Sequence, residues 1–367
     1  MRRSSSSTSA GSGVQAAGRS FLARHPRFTL LAVLGAGLVL VGGLFELGLR
    51  AFGSLNISYY TGTTLPGLHR YGYGDIPINA DGYPDEAFVL SGVKPRIGYV
   101  GDSVTYGIGA GYGYRVPDLL QERFPQYDHW VFAGVGERLE APSLLAQIEQ
   151  FNLSAVVYLM NLNDIVPEAD SPDASTWIAS RARTSWFARV DLGLRGKSYL
   201  YTYVRFGLKT MLERWGYEHH GMKAYEFEPS KYRDVFAVTA KRVADALDQA
   251  AARRPGLRTC VVVLPYEMQV SSDAARTYRD LGFSWEPGFE NGSAQAVLVP
   301  KLKSRGVKAL DARDAFAGRE LKVGEAYVFN KGDRTDWNHP NRVGHAILAS
   351  WLADHTDFVS HCYGPTR

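Results

Sequence analysis

The chain has little cysteine: Cys260 and Cys362 are the two in a sequence of 367 residues. So few cysteines exclude a disulfide framework and a cysteine-rich zinc site. Cys260 lies in an apolar run and is predicted to fill a buried strand position, whereas Cys362 lies in the C-terminal tail. A bridge between them would need an oxidising compartment, and we do not expect one.

The chain also lacks a strong charge of either sign. Its formal net charge is +4, and no Lys/Arg stripe accompanies a groove-entering motif, which argues against a nucleic-acid partner. His219 and His220 have no partner cluster, so no metal is expected. The glycine-rich run from Gly107 to Gly113 lacks the Lys-Ser/Thr ending of a phosphate loop. It more simply gives room to its neighbours, and no cofactor is predicted.

One long uncharged run lies near the N-terminus. Residues 1–18 are rich in Ser, Gly and Ala and cannot build a core, so residues 1–27 are predicted to be a disordered tail. Residues 28–49 follow, and about 20 apolar residues span a bilayer. Because Arg19, Arg24 and Arg27 precede the run, the positive-inside rule predicts a cytoplasmic N-terminus, one crossing of the cytoplasmic membrane and an extracytoplasmic remainder.

Two other interpretations of this run are weaker. A cleaved signal peptide would have a shorter apolar region and a better cleavage site than Ala51-Phe52-Gly53. A buried core helix would not be apolar on every face. An uncleaved anchor is therefore favoured, with the signal peptide as its alternative.

Two segments show no strong period. Residues 50–94, rich in Tyr, Gly and Pro, are predicted to be a linker ordered against the following domain, with a turn at residues 79–83. Residues 166–232 interleave aromatic and basic side chains over a length too great for a plain connection. A helical insertion packed on the domain is the simplest interpretation; a substrate lid and a membrane-facing surface are the alternatives.

Residues 95–357 alternate between short β-branched runs and longer helical patterns. The predicted strands are 97–100, 130–133, 155–160, 260–264 and 307–310, and the predicted helices are 113–124, 142–151, 235–252, 294–303 and 343–352. This alternation predicts an α/β domain with a central parallel sheet covered on both faces. In such sheets, active sites form at the carboxyl ends of the strands.

Two motifs supply side chains for acyl-transfer chemistry. Gly101-Asp102-Ser103-Val104-Thr105 follows the first strand, and a turn there would lift the Ser103 hydroxyl to the sheet edge. Asp336-Trp337-Asn338-His339-Pro340 precedes the last helix, and Asp336 could hold His339 Nδ1 while Nε2 acts as a base. Either motif alone could merely cap a helix. Together they contain a serine, a histidine and a carboxylate.

Two further residues follow the next two strands. Gly134 comes after the second strand and Asn163 after the third, so both are predicted to lie at the same edge as Ser103. A glycine N–H and an asparagine amide are suitable donors to a developing oxyanion. Each would otherwise be an ordinary turn or capping residue. His345, inside the last helix, is expected to be packed rather than catalytic.

These blocks, in this order, resemble the SGNH (GDSL-type) hydrolase family over about residues 96–354. Asn79-x-x-Gly82 and the apolar run ending at Arg50 are similar to membrane-anchored bacterial members. The resemblance implies a flavodoxin-like three-layer α/β/α fold. It implies Ser103 as nucleophile, His339 as base and Asp336 as its partner, with an oxyanion hole formed by the Ser103 N–H, the Gly134 N–H and the Asn163 amide.

Three positions depart from the family pattern. Val104 stands where Leu is usual, Asn161 replaces a frequent Gly, and Phe132 replaces a frequent Asn. These changes concern loop details and substrate preference rather than the triad. The expected activity is hydrolysis of acetyl or short-chain acyl esters, on a small molecule, lipid or glycan. A cell-envelope glycan O-acyltransferase with the same triad and a non-catalytic binding module are the alternatives, and the intact triad argues against the binding module.

Overall fold

The computed structural model describes residues 25–52, 67–71, 73–134, 139, 141–165, 224–328 and 336–364, with a few residues between 190 and 208. Nearly all of the predicted tail (1–27), part of the predicted linker and most of the predicted insertion (166–232) lie outside these residues. The Asn79 turn is described: the Asn79 side-chain oxygen accepts from the N–H groups of Asp81 (3.1 Å) and Tyr83 (3.0 Å).

In the N-terminal unit, residues 1–53, the described residues form the helix α1, Pro26–Phe52. Within Pro26–Ala51, a window of 18 residues has a mean hydropathy of 2.3, and the helix is long and apolar enough to cross a membrane or to serve as a signal sequence. Near its end, Arg50 Nε bonds Glu46 Oε1 at 2.7 Å, one helical turn away. This pairing offsets the two charges within the C-terminal part of the helix.

The described residues of the second unit form two sheets and the helices that flank them. In chain order its elements are β1 Gly67–Tyr71, β2 Gly74–Ile78, β3 Arg96–Gly101, α2 Ser103–Tyr106, α3 Val116–Arg123, β4 Asp128–Ala133, α4 Ala141–Phe151, β5 Ala155–Met160, α5 Ala224–Phe227, α6 Arg233–Arg253, β6 Arg258–Val263, α7 Ser272–Asp280, α8 Ser293–Lys303, β7 Lys308–Asp311, α9 Arg342–Asp354 and α10 Thr356–Phe358. Single 3₁₀ turns follow three of the strands, at Leu162–Asp164, Glu267–Gln269 and Ala312–Phe316.

The large sheet has five parallel strands in the order β4-β3-β5-β6-β7. Counted along the chain, this is the order 2-1-3-4-5 of flavodoxin-like sheets. The predicted fold class is therefore confirmed. The chain order reverses between β3 and β5, and the crevice at such a reversal, outside the carboxyl ends of the strands, is where these sheets bind ligands.

Alternating strand residues build a core on each face of the sheet. Val100, Val156 and Val261 pack with α4, α6 and α8 on one face. Tyr99 and Val157 point to the opposite face and pack with α3, α9 and the C-terminal segment. Two buried apolar layers around one sheet make the three-layer α/β/α arrangement, and they explain why the strands are apolar along their whole length.

The structure corrects one boundary of the sequence interpretation and adds two elements that it omitted. The helix predicted from residue 113 begins at Val116, because Gly113 adopts a positive φ of 83° and the Asp118 carboxylate binds the N–H groups of Gly113 and Arg115. The hairpin β1–β2 and helix α7 were not predicted. The buried face of α7 consists of Ala274, Ala275 and Tyr278, which gives only a weak apolar period.

The expectation of unbridged cysteines is wrong. Cys260 and Cys362 form a disulfide with a Cα–Cα distance of 6.0 Å. Cys260 does fill a buried position of β6, as predicted. The C-terminal segment after α9 is not a loose tail, since Phe358 and Tyr363 are buried in the same core face as Cys260. Their burial brings Cys362 against the sheet.

Candidate active site

Ser103 is the first residue of the short helix α2, directly after β3. The preceding residue, Asp102, caps this helix, because its Oδ1 accepts from the Val104 N–H at 2.9 Å. A Cβ at position 101 would collide with the Thr105 hydroxyl and the Leu159 carbonyl. Glycine is therefore required for the strand to turn sharply into the helix, and this turn brings the Ser103 hydroxyl to the carboxyl edge of the sheet.

Ser103, His339 and Asp336 form one hydrogen-bonded path. His339 Nε2 lies 2.8 Å from Ser103 Oγ. His339 Nδ1 lies 2.7 Å and 2.9 Å from the two carboxylate oxygens of Asp336. Because a carboxylate only accepts hydrogen bonds, Nδ1 carries the ring proton and Nε2 is free to accept the serine proton. Ser103 and His339 are each 6% exposed.

The segment carrying His339 is held against a neighbouring chain segment. The Val328 N–H donates to the His339 carbonyl at 2.8 Å, and the Asn341 N–H donates to the Ala326 carbonyl at 3.0 Å. The Asn341 side chain then caps α9 by accepting from the N–H groups of Val343 and Gly344. Backbone hydrogen bonds on both sides of Pro340 thus fix the position of His339 relative to Ser103.

The glycine-rich run beside Ser103 allows a close approach to this segment. Gly109 has a positive φ of 91°. A Cβ there would lie 2.6 Å from Val328 Cγ2 and 2.7 Å from the Pro340 carbonyl oxygen. Any other residue at 109 would push the Pro340 segment away, so the run gives room to the neighbour of His339 rather than to a phosphate.

Gly134 and Asn163 follow β4 and β5, the two strands that flank β3. Within the described part of the chain, no hydrogen bond uses the backbone N–H of Ser103 or of Gly134. The Asn163 amide lowers the pKa of the Asp102 carboxyl, and among the described residues the buried Asn163 Oδ1 has no hydrogen-bond partner. Ser103, Gly134 and Asn163 thus follow three adjacent strands of the sheet.

Asp102 is a buried carboxylate beside this group. Burial raises its pKa, while the Val104 N–H, His339, Asn163 and the Ser103 hydroxyl counteract that rise. The Ser103 hydroxyl is 3.3 Å from Asp102 Oδ2 but only 2.8 Å from His339. The single serine proton therefore has its better acceptor in His339.

The sequence interpretation missed two side chains behind Asp336. Glu267 follows β6, and its N–H donates to the Trp337 carbonyl at 2.8 Å. The Tyr278 hydroxyl lies 2.7 Å from Glu267 Oε2 and 3.2 Å from the Asp336 carbonyl oxygen. The signal for Glu267 was its place directly after a parallel strand, like Ser103, Gly134 and Asn163. Tyr278, on an unpredicted helix, gave no such signal.

His345 lies under α3 rather than at the site. It is fully buried, its Nδ1 accepts from the Val116 N–H at 3.2 Å, and burial lowers its pKa to about 3. The neutral imidazole is thus a packed core group, as expected. Across the residues that the structure describes, no group of three or more His, Cys, Asp or Glu side chains is arranged to hold a metal; His219 and His220 lie outside them.

The strand order, and the four blocks at one sheet edge, are those that the resemblance to SGNH hydrolases implies. No protein-family model and no curated protein sequence matches the chain. Several solved structures are similar in fold. An extracellular lipase from Streptomyces rimosus is 15% identical, with 70% of this chain and 99% of that chain covered and a TM-score of 0.36.

Two further solved structures are similar to this chain in fold. The periplasmic domain of a lipopolysaccharide acetyltransferase from Salmonella ser. Paratyphi A is 7% identical, covering 72% of this chain and 84% of that chain, with a TM-score of 0.38. A carbohydrate esterase family 2 enzyme with a carbohydrate-binding domain, from Corynascus thermopiles, is 13% identical. The match covers 77% of this chain and 70% of that chain, with a TM-score of 0.37. At such identities, function has to be inferred from this chain's own residues.

Proposed function

We propose that the protein is a serine esterase of the SGNH type that hydrolyses acyl esters through an acyl-enzyme. The observation that carries the proposal is the unbroken hydrogen-bond path from Asp336 through His339 to Ser103. A buried serine whose proton faces an unprotonated imidazole nitrogen is an activated nucleophile. No other residue pair is needed to begin acyl transfer.

The proposed reaction has two halves. Ser103 Oγ attacks the ester carbonyl carbon while its proton passes to His339 Nε2, and His339 then gives that proton to the departing alcohol. A water molecule, deprotonated by His339, next attacks the acyl-enzyme and releases the acid. The N–H groups of Ser103 and Gly134 and the Asn163 amide would stabilise the oxyanion, each worth about 3 kcal/mol in the transition state.

The proposed substrates carry an acetyl or another short acyl group. Support comes from the low exposure of Ser103 and His339, 6% each, which favours a small group beside the nucleophile. The alcohol is a small molecule, lipid or glycan. Comparing acetyl and octanoyl aryl esters tests this choice, and faster cleavage of the octanoyl ester would contradict it.

The decisive variant is Ser103→Ala, with Ser304→Ala as the matched control. Ser304 is exposed, and its hydroxyl donates to the Lys301 carbonyl at the end of α8. Hydrolysis of acetyl aryl ester should fall by at least about 10³-fold in Ser103→Ala and remain unchanged in Ser304→Ala. Unaltered turnover in Ser103→Ala would reject the proposal. Recovery of the acyl group on an added glycan, instead of as free acid, would favour the acyltransferase.

We further propose that α1 is an uncleaved anchor that holds the second unit outside the cytoplasmic membrane. The length and hydropathy of α1 support this, and the Cys260–Cys362 disulfide suits an oxidising compartment. A tag placed before residue 1 should stay with the full-length chain in the membrane fraction and should be released by detergent but not by salt. Loss of the tag from a shortened soluble chain would indicate a cleaved signal peptide instead.

A further inference from the structure

Glu267 is a buried carboxyl group behind the triad. It follows β6 in the turn Glu267–Gln269 and is 1% exposed. Its Oε1 accepts from the Gly324 N–H at 2.6 Å, its Oε2 lies 2.7 Å from the Tyr278 hydroxyl, and its own N–H donates to the Trp337 carbonyl at 2.8 Å. One residue therefore contacts three separate segments of the chain.

Those contacts converge on the segment of Asp336 and His339. Trp337 lies between the two catalytic candidates in sequence. Gly324 precedes the segment 326–328, whose backbone bonds flank Pro340. Tyr278 reaches the Asp336 carbonyl oxygen at 3.2 Å. Glu267 thus contacts both chain segments whose backbone bonds hold His339, and its partner Tyr278 contacts Asp336.

The ionised and the protonated states of Glu267 differ in how many hydrogen bonds Glu267, Tyr278 and the Asp336 carbonyl can form. The Tyr278 hydroxyl carries one proton but lies beside two oxygens, Glu267 Oε2 and the Asp336 carbonyl. If Glu267 is ionised, only one of them can receive that proton. If Glu267 is protonated, it donates to Tyr278 Oη, and Tyr278 donates to the Asp336 carbonyl, so every oxygen is satisfied.

The charges facing Glu267 favour the protonated state. Asp336 from the catalytic segment and Asp273 from α7 both bring negative charge toward it, and Tyr278 and Tyr327 are its neutral titratable neighbours. Burial is the largest cause and raises the pKa of Glu267, the hydrogen bonds from the Tyr278 hydroxyl and the Gly324 N–H counteract this rise, and the two carboxylates add to it, so that the pKa is about 7. The proton is therefore bound below neutral pH and lost above it.

We propose that Glu267 and Tyr278 are positioning residues for Asp336, and that the site works best while Glu267 holds a proton. Loss of this proton turns the Tyr278 hydroxyl toward the new carboxylate and leaves the Asp336 carbonyl without its donor. It also puts a second negative charge beside Asp336. Activity then declines as pH rises above about 7, the pKa of Glu267. The proposal rests on the esterase function proposed above.

The test compares the wild-type full chain with three variants in detergent, with acetyl aryl ester, from pH 5 to 9.5. Wild type should rise to a maximum and decline above about pH 7. Glu267→Gln cannot ionise, but its amide can donate to Tyr278 and accept from Gly324. It should keep kcat within about threefold at the optimum and lose the alkaline decline. Glu267→Ala and Tyr278→Phe should lower kcat about tenfold or more with KM within about twofold, since small displacements of catalytic groups are costly.

Asp85→Asn is the matched control. Asp85 is another buried carboxyl whose pKa burial raises to about 6, but it bonds the Val131 N–H and lies beside Arg115. This variant should keep the wild-type pH profile. An alkaline decline that persists in Glu267→Gln, or wild-type kcat in both Glu267→Ala and Tyr278→Phe, would overturn the positioning role.

A second measurement does not depend on turnover. The Nδ1 proton of His339, bonded to Asp336, should give a low-field proton resonance that is lost in His339→Gln. It should remain sharp in Glu267→Gln and broaden or vanish in Glu267→Ala and Tyr278→Phe. An unchanged resonance in all three would contradict the inference even if no ester were cleaved. Activity that survives in Ser103→Ala would instead refute the proposed function.

Discussion

At the scale of single residues, the site depends on which nitrogen of His339 carries the proton. Asp336 holds Nδ1 through both carboxylate oxygens, which leaves Nε2 unprotonated toward Ser103. The sequence indicated this set of residue types through two short motifs. It could not indicate the contacts of Glu267 with Trp337 or of Tyr278 with Asp336, because these join positions about 60–70 residues apart and exist only in the folded chain.

The Asp336→Asn variant tests this assignment of the proton. An amide placed at Asp336 can donate to Nδ1, which would shift the ring proton to Nε2, where it blocks acceptance from Ser103. We expect kcat to fall by about 10³- to 10⁴-fold with the fold retained. The control is Asp357→Asn, which removes an exposed carboxylate paired with Lys308 at 3.5 Å. Equal kcat in the two variants would contradict the assignment.

At the scale of elements, the central strands were predictable because they are short β-branched runs buried on both faces. The helices α4, α6, α8 and α9 were predicted to within about two residues, because each buries a regular apolar stripe on one face. Helix α7 was missed because its buried face is small, and the C-terminal segment was missed because its partner, Cys260, is 102 residues away. The local pattern of apolar residues does not predict a pairing between residues so far apart in the chain.

The disulfide makes a prediction at this scale. Closing a loop of 102 residues restricts the unfolded chain and contributes about 2–4 kcal/mol to folding. Replacing Cys260 and Cys362 together by Ala should therefore lower the melting temperature by several degrees and loosen the C-terminal segment, while kcat stays close to wild type because neither residue touches the triad. Thermal unfolding followed by circular dichroism measures the shift. An unchanged melting temperature would show that core packing alone holds this segment.

At the scale of the whole molecule, the sheet order explains why distant motifs meet. Ser103 follows β3 and Asn163 follows β5, the two strands between which the chain order reverses, while Gly134 follows the strand on the other side of β3. His339 comes from the segment before α9, the last long helix of the chain. Parallel strands deliver all their carboxyl ends to one edge, so residues spread over more than 200 positions form one candidate site.

The central claim is that Ser103 is the nucleophile of this site. The most direct measurement is to treat the full-length protein with a fluorophosphonate that forms a covalent bond with activated serines and to identify the labelled peptide by mass spectrometry. The label is predicted on Ser103, to be absent in Ser103→Ala and His339→Ala, and to be retained in Ser304→Ala. A label on another residue, or no label while a known serine hydrolase reacts under the same conditions, would contradict the proposed mechanism.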